Sequence, residues 1–327
     1  MTRRDILGPV LFKELATQLR GSRAALMITL YVGLVLIATR LLYGMVAAQL
    51  DYGKPLLSAQ IGQVLFIGVS LVVQTLTVFL APATTVNAIS QEHERGTFEL
   101  IRATPLPAGQ LLVGKLIAAL AFMALLLLAV APVLTLVLLF GGVSVADMLR
   151  VLATTMITAV VGCAFGLCCS AITKQTYSAT LLCYALLISL VGGSLFVANV
   201  WSMVNGLANA PPVIVAINPL SAMATALAPV RPPDSTITGG FRPLVLLGLL
   251  SHGTINTVSG DAAPTYRATA MIDGAATIIL LWVALHAVRP RRWLTREDGV
   301  MLLGMLGYGL VVYLLRNWWL PGIFPGG

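Results

Sequence analysis

The sequence predicts an all-α polytopic membrane protein with six transmembrane helices, and three observations carry that fold class. Of 327 residues, 58% are hydrophobic and only 10% are charged, where a soluble domain carries about 25% charged residues. Such a chain lacks the polar surface to cover a water-facing globule. Apolar stretches long enough to cross a bilayer, about 20 helical residues each, recur along it. The basic residues flank those stretches, where orientation signals belong. The formal charge of +8 therefore reads as a membrane feature. With no basic patch interleaved with aromatics, no nucleic-acid partner is expected.

The elements follow in order. Residues 1–23 read as an N-terminal amphipathic helix on the membrane surface. Leu7, Leu11, Leu15 and Leu19 recur every four residues, while Lys13, Thr17 and Arg20 take another face. Pro9 is tolerated near the first turn. Charges throughout and no small-residue cleavage site argue against a secretory signal. The first span is expected at 24–46, with Arg40 near its far end, where the side chain snorkels to the headgroups. The second is expected at 61–88, the third at 111–140, the fourth at 148–172 and the fifth at 179–200.

Residues 201–265 differ in kind. They hold eight of the seventeen prolines and two apolar pieces, 213–228 and 244–250, too short or broken to span. This segment is expected to be extracellular, with a re-entrant or interfacial element at 244–259, since irregular backbone at membrane depth needs protein to bury it. A sixth span follows at 266–288 and ends in "RPRRWLTR". The transmembrane domain thus covers 24–292. In the tail, 293–327, the run 299–315 is long enough only for a marginal seventh span, and Trp318 and Trp319 form an interfacial anchor pair.

Under a six-span arrangement, thirteen Lys and Arg residues fall on one side and seven on the other. The positive-inside rule then places the N-terminus in the cytoplasm of a bacterial-type membrane. The four cysteines, Cys163, Cys168, Cys169 and Cys183, all lie in neighbouring apolar stretches and read as small buried residues. His252 and His286 have no companions at metal-ligand spacing, so no metal or cofactor is expected. No nucleophile–base pair or carboxylate dyad is present, so no catalytic residues are expected.

The most polar passage, "QEHERGTFELIRATPLPAGQLLVGK", joins the second and third spans. Ser90 reads as an N-cap, with Glu92 and Glu94 in the first turn, where carboxylates favour the helix dipole. Glu92–Arg95, Arg95–Glu99 and Glu99–Arg102 are pairs at helical spacing. Phe98 and Ile101 give an apolar edge, and Pro105 and Pro107 end the element. A charged helix of about residues 90–104 with one apolar edge suits docking in a partner's groove. The bland alternative is a solvated loop. "GQLLVGKL" comes close to a phosphate-binding loop, but Leu116 replaces the hydroxyl residue and the stretch opens a membrane helix. Lys115 then reads as an anchor at the cytoplasmic end of the third span.

This passage resembles the hallmark of the ABC-2 type permeases, the membrane subunits of one large class of ATP-binding-cassette exporters. The matching positions are Glu94, Arg95, Gly96, Thr97, Phe98 and Glu99, then Thr104, Pro105 and Leu106, then Gly114 and Lys115. "FKELATQLRGSR" is similar to the family's surface helix, and "INPLSAMATAL", with Asn218 and Pro219, to its Asn-Pro segment between the fifth and sixth spans. The resemblance implies that the charged helix is a coupling helix seated in a separate cytoplasmic ATPase, which binds the ATP and magnesium. Glu92, Glu94, Arg95, Gly96, Thr97, Phe98 and Glu99 would form that contact. It also implies a second permease subunit, a copy or a paralogue, and export across the cytoplasmic membrane by a chain that is not itself an enzyme.

Asp273, inside the sixth span, is a functional candidate by its depth, or pairs with Arg267 near the interface. The rival to an ABC subunit is an ion-coupled secondary transporter with Asp273 and Arg40 as its coupling pair. It would need inverted repeats, and no internal repeat is visible in the sequence. Gly162 and Gly166 have the small-xxx-small spacing that permits close helix approach. Gln63 and Gln74 either line a path or bond neighbouring helices.

Overall fold

The computed structural model describes residues 22–51, 58–96, 108–205, 212–230, 250, 265–289 and 296–319. The N-terminal amphipathic helix, Thr97–Glu99 and the expected re-entrant piece at 244–259, Leu250 apart, lie outside them. The protein is an all-α polytopic membrane protein. Its long helices are α1 (Ser22–Asp51), α2 (Ser58–Thr85), α4 (Ala108–Leu138), α5 (Val145–Ile172), α6 (Thr176–Asn205) and α9 (Thr265–Val288). All six are long and apolar enough to cross a bilayer. Short helices lie between and after them: α3 (Ser90–Glu94), α7 (Pro212–Ala216), α8 (Pro219–Ala226), α10 (Arg296–Leu314) and α11 (Arg316–Trp319).

The bundle is layered around α2. Its apolar window is 72% buried, against 11% for α1 and 17% for α6. A span that is apolar all round and enclosed is a core helix, while α1 and α6 keep leucines such as Leu30, Leu41, Leu181 and Leu186 exposed. In lipid those faces cost nothing, because acyl chains are as apolar as leucine.

The contact between α2 and α5 shows how close approach is obtained. A Cβ added at Gly166 would overlap Thr85 Oγ1 and the Pro82 carbonyl, and one at Gly162 would lie 2.9 Å from Ala81 Cβ. The small-residue spacing thus lets α5 lie directly on the α2 backbone. Thr85 Oγ1 donates to the Cys163 carbonyl at 2.8 Å, across the same contact. The four cysteines are buried free thiols, in accord with their reading as small core residues.

Glycines also shape the turn between α4 and α5. Gly141 and Gly142 take φ of 86° and 78°, the left-handed region that glycine enters without strain. Ser144 then caps α5 in a reciprocal box with Asp147, whose carboxylate also accepts from Arg150 at 2.9 Å. Gln63 donates to the Gly142 carbonyl at 3.1 Å, so it bonds a neighbouring element.

The segment after the fifth span departs from its expected bounds. Helix α6 continues through Trp201 to Asn205. The chain then dips into the bundle through α7 and returns through α8. Asn218, at the tip, donates to the Val191 carbonyl and to Ser194 Oγ of α6 at 2.9 and 2.8 Å. The Pro219 carbonyl accepts from Gln74 Nε2 at 3.0 Å, which also donates to Thr158 Oγ1 at 2.8 Å. Thr158 lies about 20 Å along α5 from its first residue at 1.5 Å per residue. At the other end of α8 the Ala226 carbonyl accepts from Arg150, one turn or so into α5. Residues 221–226 are all buried.

Candidate functional site

The polar segment after the second span is built onto the ends of three other helices. Helix α2 passes through Pro82, which lacks an N–H, and ends at Thr85, and the chain turns at Val86–Ile89 before the one-turn helix α3. Ile89 and Ser90 N–H groups both donate to Ser170 Oγ, at 2.9 and 3.0 Å. A hydroxyl oxygen has two lone pairs and accepts both. Ser170 is fully buried in the last turn of α5, so this contact fixes α3 to the fourth span.

Glu92 reaches Lys115 in the second turn of α4, with Oε1 2.8 Å from Nζ. The Lys115 side chain is only 5% exposed. The reading of Lys115 as a snorkelling anchor is therefore corrected. A buried ammonium must be paired, and Glu92 supplies a partner from 23 residues away.

Glu94 makes the third tie. Its two carboxylate oxygens accept from the backbone N–H and the hydroxyl of Thr176, both at 2.7 Å. Thr176 is the first residue of α6, and its N–H is among the donors that a helix start leaves without intrahelical partners. Glu94 is a cap delivered from elsewhere in the chain, its negative charge set against the positive end of the α6 dipole. The two donors hold its carboxyl below the usual carboxylate range. The helical stretch that ends at Glu94, interrupted only by the turn at Val86–Ile89, covers 36 residues, beginning at Ala59. At about 1.5 Å each this exceeds the hydrocarbon core, so Glu94 stands clear of it.

These ties change the local structure from its expected form. Ile89 occupies the N-cap position of α3 without a side-chain cap, and Ser90 Oγ donates back to the Val86 carbonyl. Glu92 turns to Lys115 and not to Arg95. The regular helix closes after Glu94, where the Arg95 N–H bonds back to Gln91 and the Gly96 N–H to His93. Gly96 then takes φ of 68°, a left-handed helix ending. Arg95 and Gly96 are exposed. Gly109–Leu116 is regular helix inside α4, a conformation that cannot cradle a phosphate as a glycine-rich loop does.

The remaining candidates are placed elsewhere. Asn218 caps α8, its Oδ1 accepting from Leu220 N–H at 2.9 Å, and Pro219 follows at the first helical position. Asp273 is buried in α9, and its Oδ2 has no hydrogen-bond partner among the described residues. Arg267 does not pair with it. Its guanidinium lies over the Trp318 and Tyr266 rings, at 5.1 and 5.7 Å. Arg40 is exposed on α1, and it forms no ion pair with Asp273.

A polar element tied at its root to three membrane helices, within a six-span all-α chain, is the setting in which comparison with known proteins becomes informative. A family model described as ABC-2 family transporter protein matches residues 13–285. The chain belongs to the ABC-2 transporter family. No curated protein matches it. As an ABC-2 protein it is a membrane subunit of an ABC transporter, and the matched region contains the polar segment and all but the last residues of the sixth span.

Three residues of this site escaped the reading of the ABC-2 sequence alone: Ser170, Thr176 and the pairing role of Lys115. Ser170 is one small polar residue in an apolar run, and Thr176 falls in a polar stretch that reads as a turn. Neither carries a local signal, because both partners lie about 80 residues away, at Ile89, Ser90 and Glu94.

Proposed function

We propose that the protein is the permease subunit of an ABC exporter, driven by a separate cytoplasmic ATPase that docks on the polar segment. ATP and magnesium bind to that ATPase, and this chain catalyses no covalent step. Two permease subunits and two ATPases form the working unit, in a cytoplasmic membrane of bacterial type with the N-terminus inside.

One observation carries this reading. The root of the polar segment is tied separately to α5 through Ser170, to α4 through Lys115 and to α6 through Thr176. A force applied to the exposed Arg95–Gly96 turn therefore acts on three spans at once. Closure of two ATPases on two such turns would tilt these helices and alternate the side to which the permease opens. The ties also leave Glu92 and Glu94 engaged within the chain, which supports a role for them in transmission. The exposed Arg95–Gly96 turn would then offer the docking contact.

The test is an affinity pull-down from gently solubilised membranes, wild type against Arg95→Glu. An ATPase subunit recovered with wild type and lost with the variant supports the docking face. Absence of any ATPase from both, under conditions that preserve other ABC complexes, overturns it.

A further inference from the structure

Helix α10 begins beyond the last residue matched by the family model, Leu285. Its apolar part, Asp298–Leu314, is shorter than the six spans. Its contacts nevertheless follow α9 along its whole length. At one end Asp298 accepts from Arg289 at 2.6 Å, both side chains nearly buried, with His286 Nε2 3.8 Å away. Midway, Tyr308 Oη donates to the Met271 carbonyl at 2.7 Å, and its ring occupies the space that a side chain at Gly274 would fill. At the far end Trp319, like Ile272 of α9, packs against the buried pair Ala216 and Ala268, and Arg267 donates to the Trp318 carbonyl at 3.3 Å.

The partners in α9 descend as those in α10 and α11 ascend, so the two run antiparallel in register. The turn between α10 and α11 keeps helical bonds, with Leu315 N–H donating to Val311 and Trp319 N–H to Leu315. From Asp298 to Trp318 the chain therefore rises about 30 Å, which matches a hydrocarbon core of about 30 Å. The face turned away from α9 carries Val300, Leu302, Leu303, Leu306, Leu310 and Leu314, each at least 55% exposed. In water this would be one continuous apolar patch, of a kind that soluble surfaces avoid.

We infer that α10 and α11 form a seventh membrane crossing, with that outer face against lipid acyl chains. The crossing carries the chain past Trp319 to the side opposite the polar segment. Continuity with α9 identifies the occupant, since α10 lies at the depth of a span throughout. The ends fit the same frame. Trp318, Trp319 and Tyr313 form an aromatic belt at one boundary, and the Arg289–Asp298 pair closes the other. Composition alone understates this crossing, because its first turn is charged and satisfied by α9.

The test uses single reporter cysteines in the full chain, where the four native thiols are buried. Pro321→Cys is labelled with a membrane-impermeant maleimide beside two references, Lys174→Cys on the polar-segment end and Ala146→Cys at the opposite end. Labelling of Pro321→Cys from the side that labels Ala146→Cys, with loss of labelling from the other, is the expected result. Labelling from the Lys174→Cys side overturns the crossing. A spin label at Leu306→Cys gives an independent readout. Relaxation by oxygen but not by a water-soluble nickel chelate is expected, and relaxation by the chelate contradicts a lipid-facing α10.

Discussion

Two polar constellations hold spans together in this ABC-2 protein, and they differ in how much charge they carry. Where α2 gives way to the polar segment, two of the three ties carry charge: Lys115 to Glu92, and the Glu94 carboxylate to the start of α6, beside the neutral contact with Ser170. Deeper in the bundle they are neutral. Gln74 of α2 donates to Thr158 of α5 and to the Pro219 carbonyl, while Asn218 binds Val191 and Ser194 of α6. Placement explains the difference. Charge is tolerable where helix ends approach water. At depth, amide donors meet hydroxyl and carbonyl acceptors without the several kcal/mol that an ion costs to desolvate, although Gln74 Oε1 has no hydrogen-bond partner among the described residues. Under the proposed function, the charged end is the one that an ATPase acts on, and the neutral one holds still.

The largest expected effect falls on the ionic side. Glu92→Gln deprives a nearly buried ammonium of its carboxylate, and should lower stability by about 3 kcal/mol, as breaking one side of a buried pair does. Thermal unfolding in detergent would register it. The double variant Glu92→Gln with Lys115→Met removes both charges and should recover most of the loss. A single variant as stable as wild type would show that the pair contributes little.

A smaller effect is expected at the neutral tip. Asn218→Ala removes the cap of α8 and two donors to α6, at about 1–2 kcal/mol. Its consequence should be confined to the tip: recovery of the ATPase in a pull-down should match wild type. Loss of that recovery would mean that the two constellations are not separate.

The contrast was only half legible in the sequence. The six spans declare themselves, because about 20 apolar residues have few uses other than crossing a bilayer. The cap formed by Asn218 with Pro219 behind it is also a local pattern. Gly162 and Gly166 gave the right spacing, though only the structure shows Pro82 and Thr85 against them. The ionic ties were hidden because each joins residues far apart in the chain. Sequence spacing paired Glu92 with Arg95, three residues on, when its partner is Lys115. The expected 90–104 helix has the same origin. Charge pairs at helical spacing suggested a long element, whereas ties to other helices and the left-handed Gly96 close its first part after one turn.

The most direct measurement of the central claim is ATP hydrolysis by the partner ATPase in membranes carrying wild type or Glu94→Lys. The substitution replaces the acceptor for Thr176 with another positive group at the positive end of α6, and leaves Arg95 in place. The ATPase should still be recovered with the variant, while its stimulation by the permease is lost. Stimulation equal to wild type, with the ATPase bound, would contradict transmission through Glu94 and α6.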